Sequence, residues 1–197
     1  MTMRSTVSLL AALALATALS ACGDEEPEPA TDPASLPSAA DLTAACEALI
    51  PPDAGAALGW TGAGKPMWET SSCVAAFDQG RIEVERRSFG AEVVDDLKAG
   101  ADDTFSEGCE AIQNVEGIDE KYHPQLDFMS PEFTACGTGF STPGGFSSTV
   151  VRLDSAAVVL IMVRPQEDTD ISKIESASKL LAGAARDHFT DPEAFVP

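Results

Sequence analysis

Positive charge is scarce in this chain. Twelve Lys and Arg face 32 Asp and Glu, a formal charge of −20. Nucleic acid and anionic lipid headgroups are repelled by such a chain, which excludes both as charge-driven partners. Histidine is rarer still, with only His123 and His188, each far in sequence from any cysteine pair. No C-x-x-C spacing occurs, so neither a zinc site nor a thioredoxin-like redox role is expected, and no cofactor is implied. The G-x-S-x-G elbow, H-E-x-x-H and the P-loop are all missing. Ser176-Ala177-Ser178-Lys179 has the S-x-x-K spacing but lacks the companion motifs, and reads as a chance match on the polar side of a helix. The acidic pairs Asp95-Asp96, Asp102-Asp103 and Glu167-Asp168 lack the D-x-D-x-D-G calcium loop and read as solvated surface. Beyond the first residues no run is long and apolar enough to span a bilayer; Val158 to Val163 suits a buried strand. An enzyme needs convergent groups, and their scarcity points to a non-enzyme.

What the chain does have begins at its N-terminus. Arg4 precedes an apolar stretch, Val7 to Leu19, too short for a stable membrane span, and then comes Leu19-Ser20-Ala21-Cys22. That tetrapeptide resembles the lipobox of bacterial lipoproteins. The resemblance implies a signal peptide over residues 1–21, cleavage before Cys22, and acylation of Cys22, which would hold the mature chain to the outer face of the plasma membrane. Two or more acyl chains anchor stably, at about 0.8 kcal/mol per buried methylene. Loss of residues 1–21 removes one basic and no acidic residue, making the chain one charge more negative. Residues 22–40 then form an acidic, proline-rich tether unable to bury a core, reaching about 23 Å as a coil and about 55 Å in polyproline form. Residues 41–197 are one domain's worth of chain.

Four further cysteines, Cys46, Cys73, Cys109 and Cys136, form an even set in an exported chain and read as two disulfides. Three pairings are open. The Cys46–Cys73 and Cys109–Cys136 separations are equal, and Cys46-Glu47-Ala48-Leu49 echoes Cys109-Glu110-Ala111-Ile112. This echo suggests that each half closes its own loop, as a half-repeat would.

Asp41 can cap a helix to about Leu49, ended by Pro51-Pro52, and a short helix from Asp53 is stopped by Gly59. Strands are expected at Cys73–Asp78, Arg81–Arg87, Glu132–Gly137, Ser147–Leu153 and Ala156–Arg164, the second alternating polar with Ile82 and Val84. Helices are expected over Ala91–Ala99, from a capping box at Thr104-x-x-Glu107 to about Gln113, and from Ser172-x-x-Glu175 to Phe189. Grouped strands with hairpin-length links predict an α+β fold: an antiparallel sheet of about five strands, helices packed on one face, and two disulfides.

With these elements in place, the chain resembles actinobacterial cell-envelope lipoproteins with a small four-cysteine ectodomain. The resemblance rests on Leu19–Cys22, Cys46-Glu47-Ala48-Leu49 with Leu58-Gly59, Cys73, Gly117-Ile118-Asp119-Glu120, and the helix from Ile171 to Phe189. It implies an α+β ectodomain like those of extracytoplasmic sensor and binding domains, and no reaction.

Two glycine-rich loops bear aromatics. Gly59 to Trp68 carries Trp60, Met67 and Trp68, and Gly137 to Phe146 carries Phe140 and Phe146. If the half-repeat holds, these five side chains could line one groove for an envelope ligand or a protein partner. The alternative is that the loops fold down as the lid of the core. A cell-envelope hydrolase using His123 or a loop serine, or a structural accessory lipoprotein, are the competing functions.

Overall fold

The computed structural model describes residues 38–62, 64–87, 96–113, 126, 128–130, 133–139 and 146–190. The signal peptide, Cys22, the tether as far as residue 37, residues 91–95 of an expected helix, the 117–120 turn, His123 and Phe140 lie outside the described residues.

The chain opens with α1 (Ala39–Leu49) and α2 (Pro52–Leu58). Ser38 caps α1: its hydroxyl accepts from the Asp41 N–H (3.2 Å), and the Asp41 carboxylate accepts from the Ser38 N–H (3.0 Å). The helix therefore starts ahead of residue 41, with Asp41 closing the box rather than heading it. Its carboxyl titrates below the usual range because Ser38 donates to the charged form. Pro51 and Pro52 turn the chain into α2, where a proline costs nothing at the first position, and Gly59 ends α2 at φ 76°.

Then come β1 (Met67–Glu69), β2 (Ser72–Phe77), β3 (Gly80–Arg87), α3 (Leu97–Gln113), β4 (Phe128–Ser130), β5 (Phe133–Thr138), β6 (Ser147–Leu153), β7 (Val158–Pro165) and α4 (Ile171–His188). The strands pair antiparallel in the order β1-β2-β3-β7-β6-β5-β4. The fold is α+β with an antiparallel sheet and two disulfides. The five longer strands coincide with the expected ones. The additional pair, β1 and β4, are three-residue edge strands too short to carry a period.

Strand parity sorts the side chains into two layers. On one face Cys73, Ala75, Ile82, Val84, Val151, Val159, Ile161 and Val163 pack beneath α1, α2 and α4. The buried stripe of α4 (Ile174, Ala177, Leu181, Ala182, Ala185) recurs at helical spacing and closes that core. On the other face Cys136, Val150, Val158 and Leu160 pack against Ala101, Phe105, Cys109 and Ile112 of α3. The expectation of helices on one face thus holds for three of the four. β7 is apolar on both sides because both sides are covered.

Two helices were expected where α3 runs unbroken, and Thr104 lies inside it rather than at a cap. The Asp96 carboxylate instead accepts the N–H groups of Lys98 (3.1 Å) and Ala99 (3.0 Å). No proline interrupts Leu97–Gln113, and Gly100 and Gly108 cost only about 1 kcal/mol each within a helix. Likewise Asp170 caps α4, accepting from the Ser172 N–H (2.9 Å), where Ser172 was the expected cap.

Cys46 is bonded to Cys73 and Cys109 to Cys136. Each bridge staples a helix to the strand between an edge strand and an inner one, α1 to β2 and α3 to β5. Corresponding strands of the two halves run in the same direction, in mirrored order, with the helices on opposite faces. A two-fold axis along β7 would produce that relation. Arg152 of β6 adds an ion pair to Asp102 of α3.

Candidate functional site

The sequence-expected groove of five side chains does not assemble as one. Trp60 is 7 % exposed and belongs to the core, its ring 5.5 Å from that of Phe77. It packs tightly over Gly80, where an added Cβ would lie 2.6 Å from the indole and 2.5 Å from the Arg164 carbonyl oxygen. Trp68 is partly buried on the same helical face. Met67, one residue earlier on β1, points to the opposite face and is 53 % exposed. Phe146 precedes β6 on that second face, 45 % exposed, with the Arg164 guanidinium 5.9 Å from its ring centre. Four strand spacings of about 4.8 Å, roughly 19 Å in all, separate Met67 from Phe146. The two loops are not counterparts under the two-fold relation, since the first leads into β1 whereas the second lies between β5 and β6 in sequence. The first loop closes as a lid at Trp60.

The rest of that first loop builds a different site. Thr61, Gly62 and Gly64 to Pro66 return along the edge of β2, fixed by main-chain and side-chain bonds. The Gly64 N–H donates to the Ala76 carbonyl (2.9 Å) and the Asp78 N–H to the Thr61 carbonyl (3.3 Å). Gln79 clasps Thr61 twice, accepting from its N–H (2.9 Å) and donating to its hydroxyl (3.0 Å). Opposite stands the corner where α1 gives way to α2. Between corner and loop lies a cleft of about 420 Å³, within the ordinary range for small-molecule sites. Ile50, Ala75 and Phe77 form its floor, Pro51, Pro52 and Pro66 its sides, and Glu47 and Lys65 bring one charge of each sign. The Cys46–Cys73 bridge ties α1 to β2 beside it.

Two other depressions have more mixed linings. A groove between α1 and α4 of about 500 Å³ is bounded by Lys179, Leu180, Gly183, Arg186 and His188. His188 stacks edge-on against Phe189 (4.9 Å), and burial holds its pKa below the ordinary value. Desolvation thereby outweighs the helix C-terminus, which would favour the charged form. The second, of about 580 Å³, runs between α3 and the sheet past Arg87, Ser148 and Leu160.

The α1–α4 groove gathers Lys179, Arg186, Asp187 and His188 but no serine, threonine or cysteine, and the groove beside α3 gathers Arg87, Thr104, Glu107 and Ser148 but no histidine. Ser176 donates to the Ser172 carbonyl (2.8 Å) and Lys179 pairs with Glu175 (2.5 Å), so the S-x-x-K residues are each engaged elsewhere. Among the described residues no cluster of His, Cys, Asp and Glu could hold a metal, and no helix is long and apolar enough to cross a membrane. The cleft residues were missed by sequence reasoning because they are scattered from Glu47 to Phe77. Pro51-Pro52 and the glycines beside Lys65 were the only local signals.

No family model, curated protein or solved structure matches this chain.

Proposed function

We propose that this chain is an exported lipoprotein, anchored through lipid on Cys22 to the outer face of the plasma membrane, whose ectodomain binds an envelope ligand without transforming it. The cleft between the Pro51-Pro52 corner and the Gly64–Pro66 arm carries this reading. Its lining is largely apolar, its walls are pinned by a disulfide and by hydrogen bonds, and it holds no pairing of nucleophile and base. A rigid apolar cleft with few polar groups is the ordinary form of a small-molecule site. The acidic tether would hold that cleft clear of the headgroups, and lipid would supply the attachment that so acidic a chain does not find by charge.

The test is binding of the neutral dye N-phenyl-1-naphthylamine to the exported chain carrying Cys22→Ser, which needs no detergent. Tryptophan emission, to which Trp60 packed on Phe77 of the cleft floor contributes, reports occupancy. Ala75→Leu places a larger side chain on that floor and is expected to weaken the dye at least tenfold. Equal binding by both proteins would overturn the assignment of the cleft.

A further inference from the structure

We infer that the cleft accepts the single aliphatic chain of a zwitterionic amphiphile, its ammonium toward Glu47 and its anionic group toward Lys65. The inference rests on the cleft being a ligand site, as proposed above, and adds the class of ligand.

The lining offers little to a sugar or a peptide. Pro51, Pro52 and Pro66 have no N–H to give. The Ile50 N–H donates to the Cys46 carbonyl and the Gly64 N–H to the Ala76 carbonyl, both at 2.9 Å. Ala75 and Phe77 are held in the β2–β3 ladder. A hydroxyl- or amide-rich ligand would surrender hydrogen bonds to water and recover few of them. An aliphatic chain loses none. At about 30 Å³ for each water-sized group, the volume holds on the order of a dozen such groups, which suits one chain rather than two.

The charges select the head. Glu47 stands in the last turn of α1, which has no basic residue there, so helix end and carboxylate together favour a cation. Lys65 stands on the opposite wall and favours an anion. Neither forms an ion pair with another described residue. An anionic amphiphile would also meet the long-range repulsion of so acidic a chain, which a head of zero net charge escapes.

The experiment titrates the Cys22→Ser chain with alkylphosphocholines of increasing length, below their critical micelle concentrations, following tryptophan fluorescence, with N-phenyl-1-naphthylamine as a parallel probe. Affinity is expected to rise two- to fourfold per methylene and to level off near a dozen carbons. Lys65→Ala and Glu47→Ala should each weaken the phosphocholine about fivefold while leaving the alkanol of equal length unchanged. Alkanols that bind as tightly as phosphocholines would overturn the head assignment. Dye that binds and is blocked by Ala75→Leu, with no amphiphile binding, would overturn the ligand class and leave the cleft standing. Failure of dye and amphiphiles alike would remove both.

Discussion

The two disulfides close loops of equal length, a sequence separation of 27 residues in each, so their removal separates chain entropy from packing. For a loop of about 27 residues the chain-entropy relation gives about 3.5 kcal/mol at 25 °C, the same for both bridges. Their surroundings differ. Cys46 and Cys73 have no exposed surface and sit in the core beneath α1, whereas Cys136 retains 7 % and Cys109 is only partly buried beside α3. Deleting two fully buried sulfurs should add about 1–2 kcal/mol of lost packing. The variant Cys46→Ala/Cys73→Ala is therefore expected to lose about 5 kcal/mol and Cys109→Ala/Cys136→Ala about 3.5 kcal/mol. Against a typical total of about 5–15 kcal/mol, the first change threatens folding outright. Urea titrations without reductant, with the remaining bridge verified by thiol counting, measure both losses, and the m-value should rise in each as the unfolded chain expands. Equal losses, or a larger one for the Cys109–Cys136 variant, would refute the view that the cleft-side bridge is the more deeply integrated.

Thr70, in the exposed β1–β2 turn, has φ 56°, a conformation that strains a β-branched residue. Thr70→Gly should stabilise by about 0.5–1 kcal/mol, read as a higher Tm. Gly80→Ala forces a methyl against the Trp60 ring and the Arg164 carbonyl and should cost about 3 kcal/mol, with a shift in tryptophan emission. Burial holds His188 below its ordinary pKa, so the unfolded chain takes up the proton more readily. Stability is then full above about pH 6.5, declines as pH falls through that value, and levels off below the folded-state pKa. His188→Gln should flatten this decline between about pH 7 and pH 5. Asp41 and Asp170, both lowered by bonds from Ser38 and Ser172, lose their contribution only in more acid solution, below about pH 4.

Much of the scaffold was legible locally. The alternation of Ile82 and Val84 gave β3 its wet face, the apolar run of β7 marked a buried strand, and the echo around Cys46 and Cys109 pointed to the correct bridges. The same run implies more: a strand apolar on both faces needs cover on both, and α3 provides the second cover. The fate of the aromatics was not legible. Trp60 lies in a glycine-rich segment that reads as a mobile loop, but its position is set by Gln79, by the edge of β2 and by the space above Gly80, all distant in sequence. The cleft escaped for a related reason. It forms only when a helix corner and a loop meet over β2, and no single stretch of sequence encodes that meeting.

Occupancy of that cleft is tested most directly by amide chemical-shift mapping. An isotope-labelled Cys22→Ser chain would be mixed with a detergent-free lipid extract of a bacterial envelope. Shifts concentrated at Glu47, Ile50, Gly64, Lys65, Ala75 and Phe77, and lost in Ala75→Leu, are the predicted result. Shifts confined to the α1–α4 groove or to the face bearing Met67 and Phe146, with the cleft amides unmoved, would contradict it.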